Sequence, residues 1–223
     1  MAYETSYINL QGNVTDPTET GLPSNTTQHV GLGRRGELFI NQLGGKYSAM
    51  AARGKVFYMS TVIAGVAIPV NAATLVSKFT LWNPSGSSTY VELIEFTMGI
   101  DSATEVVNGL ALAWQAKVTS SGGAPGTLTA TVNGPASTLL GIGGTSACTG
   151  YTAATLTNAA VLPVYPLGLN WDATAVGRSG NFIHNFDGKF WMPPDTLVTI
   201  VTTVAASTAA PCGLTWAEWP QPT

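Results

Sequence analysis

Charged residues make up 9% of this 223-residue chain, hydrophobic residues make up 45%, and the formal net charge is −3. The apolar content excludes a disordered protein. The chain also lacks the Ala/Glu/Lys/Leu bias of a coiled coil, and no apolar run approaches the roughly 20 residues that span a bilayer. A pI near 5.2 carries no global nucleic-acid signature.

Ordinary soluble domains carry roughly 25% charged residues. Charge this sparse, with Thr and Ser together about a fifth of the chain, suits a protein that buries much of its surface in an assembly or wears a Thr-rich coat on a particle. The first residues show no basic stretch followed by an apolar one, so a signal peptide is not expected.

Residues 1–54 read as an extended N-terminal arm. Turn-forming stretches such as Thr20-Gly-Leu-Pro-Ser-Asn and Gly31-Leu-Gly-Arg-Arg-Gly separate apolar islands too small for an independent core. The end of the arm is basic: Arg34, Arg35, Lys46, Arg53 and Lys55 face only Glu37 across residues 34–55. That asymmetry suits an arm lying on an acidic neighbouring surface, although chance placement would produce it too.

From residue 55 to 223 the chain reads as strands and turns, an antiparallel β-sandwich or jelly roll. Val56 to Ile68 and Leu75 to Trp82 are the first strands, the second closed by the turn Asn83-Pro-Ser-Gly. Tyr90 to Ile100 places Val91, Leu93, Ile94, Phe96 and Met98 on one side, with Glu92, Glu95 and Thr97 between them, the two glutamates three apart and expected on opposite faces. Leu110 to Thr119 alternates as Leu110, Leu112, Trp114, Ala116, Val118, with a hairpin preferred to a helix across Asp101 to Gly109.

Residues 120–160, almost all small, read as a long insertion between strands that includes a short Thr run at 127–132. Val161 to Tyr165, broken by Pro163, belongs at an edge. Asn181 to Phe186 ends at Asp187-Gly188, a hairpin signal, and the strand resumes at Lys189 to Met192. Thr196 to Val204 and Leu214 to Trp219 close the series. Eight or nine strands at roughly ten-residue spacing define the class.

Little of this sequence points to catalysis. Gly31-x-Gly33-x-x-Gly36 matches the dinucleotide fingerprint as a string but lacks the strand before it and the helix after it. The two histidines, His29 and His184, are too few for a histidine-based metal site, and no nucleophile elbow is present. No catalytic, cofactor or metal residue is assigned. Cys148 and Cys212 read as buried thiols, with a disulfide as the alternative. Of the tryptophans, Trp82, Trp114 and Trp191 read as core, while Trp171, Trp216 and Trp219 are the candidates for exposed contacts.

The stretch Asp187-Gly-Lys-Phe-Trp-Met-Pro-Pro-Asp-Thr-Leu-Val-Thr-Ile, continued by Gly213-Leu-Thr-Trp-Ala-Glu-Trp-Pro, resembles the closing strands of jelly-roll virion proteins of tailed bacteriophages. Phe79-Thr-Leu-Trp-Asn-Pro-Ser-Gly-Ser with Val91-Glu-Leu-Ile-Glu resembles the same group, although Asp195 stands where that group has Gly. The resemblance covers about residues 75–119 and 182–220. It implies a non-enzymatic capsid decoration or cement protein, often a homotrimer, bound to the major capsid protein on the virion surface with no nucleic-acid or membrane partner. The alternatives are a phage tail, fibre or receptor-binding module recognising a host-surface glycan, and a carbohydrate-active enzyme or its binding module.

Overall fold

The computed structural model describes residues 11–13, 27–29, 46–61, 65–70, 74–100, 107–116, 135–140, 143–152, 154–157, 163–168, 170–171, 180–203 and 209–220. Arg34, Arg35, the Thr127–Val132 run and Asp101 to Glu105 lie outside these residues. The chain divides into two units, Met1–Gly45 and Lys46–Thr223. In the first, β1 (Gln11–Asn13) pairs antiparallel with β2 (Thr27–His29). Residues 46–54 of the segment set apart by sequence fall in the second unit and contain the short helix α1 (Ser48–Ala52).

The rest of the second unit is strands. They are β3 (Val56–Ser60), β4 (Val66–Ala67), β5 (Thr74–Ser77), β6 (Thr80–Asn83), β7 (Thr89–Ile100), β8 (Val107–Asn108), β9 (Ala111–Ala116) and β10 (Ala136–Ser137). There follow β11 (Thr149–Tyr151), β12 (Ala154–Thr157), β13 (Val164–Pro166), β14 (Asn170–Trp171), β15 (Gly180–Asn185), β16 (Trp191–Met192), β17 (Thr196–Val201), β18 (Ala209–Ala210) and β19 (Cys212–Pro220).

Two antiparallel sheets face each other. One runs β10-β3-β19-β7-β15, with β16 also on β7, and the other runs β11-β6-β17-β9-β13. Without β10 and β11, and with β15 and β16 as one strand, the main strands in chain order lie 1-8-3-6 in the first sheet and 2-7-4-5 in the second. That alternation is the winding of a jelly roll. The last strand, β19, therefore lies in the middle of its sheet, between β3 and β7.

The core follows from strand alternation, which sends every second side chain inward. Phe57, Leu93, Phe96, Met98, Leu214 and Trp216 from the first sheet meet Leu81, Leu112, Val198 and Ile200 from the second in one cluster. All six residues of β17 are buried, because its outer face is covered too. There Leu197 and Val201 pack with Leu75, Ala111 and Ala113. Beside them the hydroxyls of Ser77, Thr80 and Thr199 hydrogen-bond to one another, which satisfies polar groups that burial would otherwise penalise.

Val56 to Ile68 is not one strand, since β3 ends at Ser60 and β4 pairs with β18, and three further sequence expectations change at this level. Leu75 to Trp82 is two strands, because the chain bends at Lys78-Phe79 to pass from β12, the partner of β5, to the main sheet. The small-residue insertion supplies β10, β11 and β12, each paired with a strand of the sandwich. Small Thr, Ala and Gly side chains suffice there, since these strands cap edges and outer faces instead of filling the core.

The third change is at Asp187-Gly188, which makes a bulge and no hairpin. Asn185 pairs with Glu95 and Trp191 with Glu92, so six residues of one strand advance against three of β7. Both residues have positive φ, 50° at Asp187 and 74° at Gly188, and Leu93 and Phe190 resume the hydrogen bonding beyond them.

Pro163 and Pro166 sit beside or within the edge strand β13, as its sequence requires. Tyr165 of β13 meets His184 and Phe190, and Phe182, His184 and Phe186 of the opposite edge continue the ring cluster between the two sheets. Cys148 and Cys212 are both buried free thiols.

Candidate functional site

β7 carries a second irregularity. Thr215 of β19 pairs with Glu95 but Trp216 pairs with Leu93, leaving Ile94 as an extra residue. The slip explains why Val91, Leu93, Phe96 and Met98 all reach the core although Leu93 and Phe96 are three apart. It also places Glu92 and Glu95 on one face, opposite Ala217 and Thr215, where plain alternation separates them. That shared face is the outer face of the first sheet.

Glu92 is only 5% exposed. Tyr47 donates its hydroxyl to Oε1 at 2.8 Å, Trp219 donates its indole N–H to Oε2 at 3.1 Å, and Lys46 Nζ lies 3.8 Å from Oε1. The chain just before α1 is thus fastened to the sheet by one carboxylate. Burial raises the Tyr47 phenol above its ordinary value, opposed by its contact with Lys46 and reinforced by Glu92.

Beside Glu92 the bulge presents an aromatic cleft. Trp191 is 48% exposed, and its indole N–H donates to the Gly188 carbonyl at 3.0 Å. The Trp191 and Trp219 ring centroids are 6.0 Å apart at 44°. With Tyr90 and Pro220 they line a cleft of about 430 Å³. Farther along the same face, Tyr58, Thr97, Gly99, Ile183 and Gly213 line a shallow groove of about 570 Å³. A Cβ at Gly213 would lie 2.4 Å from the Tyr58 hydroxyl, so the groove depends on glycine there.

Two assignments of tryptophan exchange places. Trp216, a candidate for exposed contacts, is fully buried and stacks on Phe57 at 6.2 Å. Trp191, read as core, is exposed. In Phe190-Trp191-Met192 only one phase can face inward, and the bulge register chooses Phe190 and Met192. Trp219 is half-buried in the cleft. Trp171 falls in β14, paired with Val107, and its side chain lies outside what is described.

Of the basic set, Lys46, Arg53 and Lys55 are exposed and flank α1. Lys46 is the one drawn to Glu92; its pKa rises, chiefly through its contact with Tyr47.

Glu218 is the other buried carboxylate. It points into the sandwich and accepts from the Ser146 hydroxyl, the Ala147 N–H at 3.0 Å and the Trp216 indole at 3.2 Å. Among the described residues both buried glutamates accept from several donors, an arrangement that holds structure together. His184 Nε2 is buried with no hydrogen-bond partner among the described residues, so this histidine is packed but not satisfied. Among the described residues no group of three or more His, Cys, Asp or Glu could hold a metal ion.

These features define an antiparallel jelly-roll sandwich whose first sheet carries an aromatic cleft and a shallow groove on its outer face. No protein-family model matches the chain, and no curated protein is similar to it. Among solved structures, a particle of Israeli acute paralysis virus, heated to 63 degrees, aligns over 99% of this chain and 88% of its own at 9% identity and a TM-score of 0.24. So low a score carries no argument about this chain.

Proposed function

We propose that the protein is a non-enzymatic virion structural protein of the capsid decoration type. The observation that carries this reading is the jelly-roll winding, 1-8-3-6 against 2-7-4-5, an architecture shared by viral capsid and lectin domains. It occurs in a chain with only 9% charged residues, whose hydroxyl-rich surface suits burial between subunits. The short motifs of Phe79 to Glu95 and Asp187 to Pro220 fall on β6, β7, β16, β17 and β19, which are strands of both sheets.

In this reading the action is adhesive. The sandwich sits over junctions of the major capsid protein as a homotrimer on the virion surface, and residues 1–45 reach across a neighbour while Lys46 to Gly54 stay on the sandwich. Arg34, Arg35, Arg53 and Lys55 meet acidic capsid groups there, which raises the rate and register of docking. Lys46 contributes less, because Glu92 already lies beside it.

The test is mass by light scattering, first on the chain alone and then mixed with empty phage heads, with the double variant Arg34→Glu/Arg35→Glu alongside. A trimer that saturates heads, and that loses occupancy on charge reversal, supports the reading. A monomer that ignores heads overturns it. Incorporation into tails instead favours a tail or fibre module.

A further inference from the structure

We infer that the cleft of Trp191, Trp219 and Tyr90 is a binding site for an uncharged pyranose unit of a glycan. The first support is rigidity. Each indole spends its only donor within the chain, Trp191 on the Gly188 carbonyl at 3.0 Å at the surface and Trp219 on the buried Glu92 at 3.1 Å. Ring faces, and no N–H groups, are therefore what the cleft offers, fixed in advance of any ligand. The C–H face of a sugar ring is the natural complement of a fixed indole face, while its hydroxyls remain in water or reach a polar rim.

The second support is the turn that holds Trp191 out. Asp187 and Gly188 take φ of 50° and 74°, and the Lys189 N–H donates to the Phe186 carbonyl at 3.0 Å across them, a turn that an Asp-Gly pair favours. It sets the register so that a large indole faces solvent, at 48% exposure, instead of joining Phe190 in the core.

The third support is charge matching. Lys46 Nζ stands 3.8 Å from Glu92 Oε1, and Asp187 also acts on Lys46, so charge of both signs lies beside the cleft. A nucleotide would bring phosphate toward Glu92 and Asp187. A quaternary ammonium would meet Lys46, and ring centroids only 6.0 Å apart leave no gap between the indoles for it. A neutral, hydroxyl-rich ligand meets neither penalty. Tyr90 lines the cleft beside the indoles, and about 430 Å³ falls within the range of small-ligand sites.

The test titrates the full chain with maltohexaose, cellohexaose, mannohexaose and N-acetylchitohexaose, each to about 10 mM, following heat by calorimetry. Saturable binding of at least one is expected, weakened about tenfold or more by Trp191→Ala and retained in part by Trp191→Phe. Ile183→Ala, in the groove at the other end of the face, leaves binding unchanged. Thermal unfolding of each variant confirms that it folds, and Trp191→Phe carries the test if Trp191→Ala does not. The inference is overturned if none of the four sugars binds saturably, if a folded Trp191 variant binds as tightly as the native chain, or if phosphocholine binds in their place. Head occupancy does not enter this test, so it stands or falls apart from the virion reading.

Discussion

The Trp219 indole donates to the Glu92 carboxylate at 3.1 Å, joining the end of β19 to the middle of the acidic run on β7. The same carboxylate accepts the Tyr47 hydroxyl. One buried acceptor therefore fastens the start of the sandwich unit and its C-terminal strand to a single point. Removing it leaves a phenol and an indole without their acceptor, each costing roughly 1–3 kcal/mol where burial excludes water. Glu92→Leu is expected to lower stability by about 2–4 kcal/mol and Glu92→Gln by about 1–2 kcal/mol, read from urea midpoints. A neutral result for Glu92→Leu would remove its role as a fastening.

Glu218 makes the parallel case inside the sandwich. Glu218→Ala strands the Ser146 hydroxyl, the Ala147 N–H and the Trp216 N–H together. A loss of about 3 kcal/mol or more is expected, with Glu218→Gln recovering part of it. Near-ultraviolet circular dichroism should report the same change, since Trp216 stacks on Phe57 and loses its anchor.

The buried thiols set an alkaline limit. Burial raises Cys212 from an ordinary 9.0 to about 12, and raises Cys148 further with help from the charge of Glu218. A folded-state pKa above the unfolded value means the stabilisation is complete below about pH 9 and fades as pH climbs toward 12. The expected slope is about 1.4 kcal/mol per pH unit for each thiol that stays protonated in the fold. Urea midpoints between pH 8 and 11 should fall accordingly, and Cys212→Ala should flatten the fall. In the native protein neither thiol should react with a disulfide reagent until denaturant is added.

His184 points the other way. Its pKa is lowered, first by burial and then by Lys189, and Tyr165, Phe182 and Phe186 surround it. A depressed folded-state value makes the neutral ring the native form. Stability tied to it is present above the ordinary 6.5 and is lost as pH drops below that value. With Nε2 buried and without a partner among the described residues, His184→Phe should be neutral or stabilising at pH 7 and progressively more stabilising toward pH 5. Destabilisation at pH 5 would show that the imidazole has a polar role.

Much of the sandwich is legible in the chain because alternation is a local property. Val91 and Leu110 lie within segments whose period of two already marks a strand, and Val56 begins a run rich in β-branched and aromatic residues. Pro163 marks an edge because proline cannot donate to a ladder. The site is another matter. Nothing in Phe190-Trp191-Met192 says which of three consecutive apolar residues faces out, and nothing in Ala217-Glu218-Trp219 says that the glutamate faces in. The one local hint was Asp187-Gly188, whose demand for positive φ fits a bulge as well as a hairpin.

By itself the sequence determined the class: all-β, strand-rich, poor in charge, with turns where Gly, Pro, Asn and Asp stand. Composition and periodicity need only neighbouring residues to act. Tertiary structure alone decided the register. The extra residue at Ile94 turned Glu92 and Glu95 to one face, and the bulge at Asp187-Gly188 turned Trp191 out while Trp216 packed in. Shifting a strand by one residue reverses the face of every side chain after it. The phase that builds an interaction face is therefore set by pairing with strands remote in sequence.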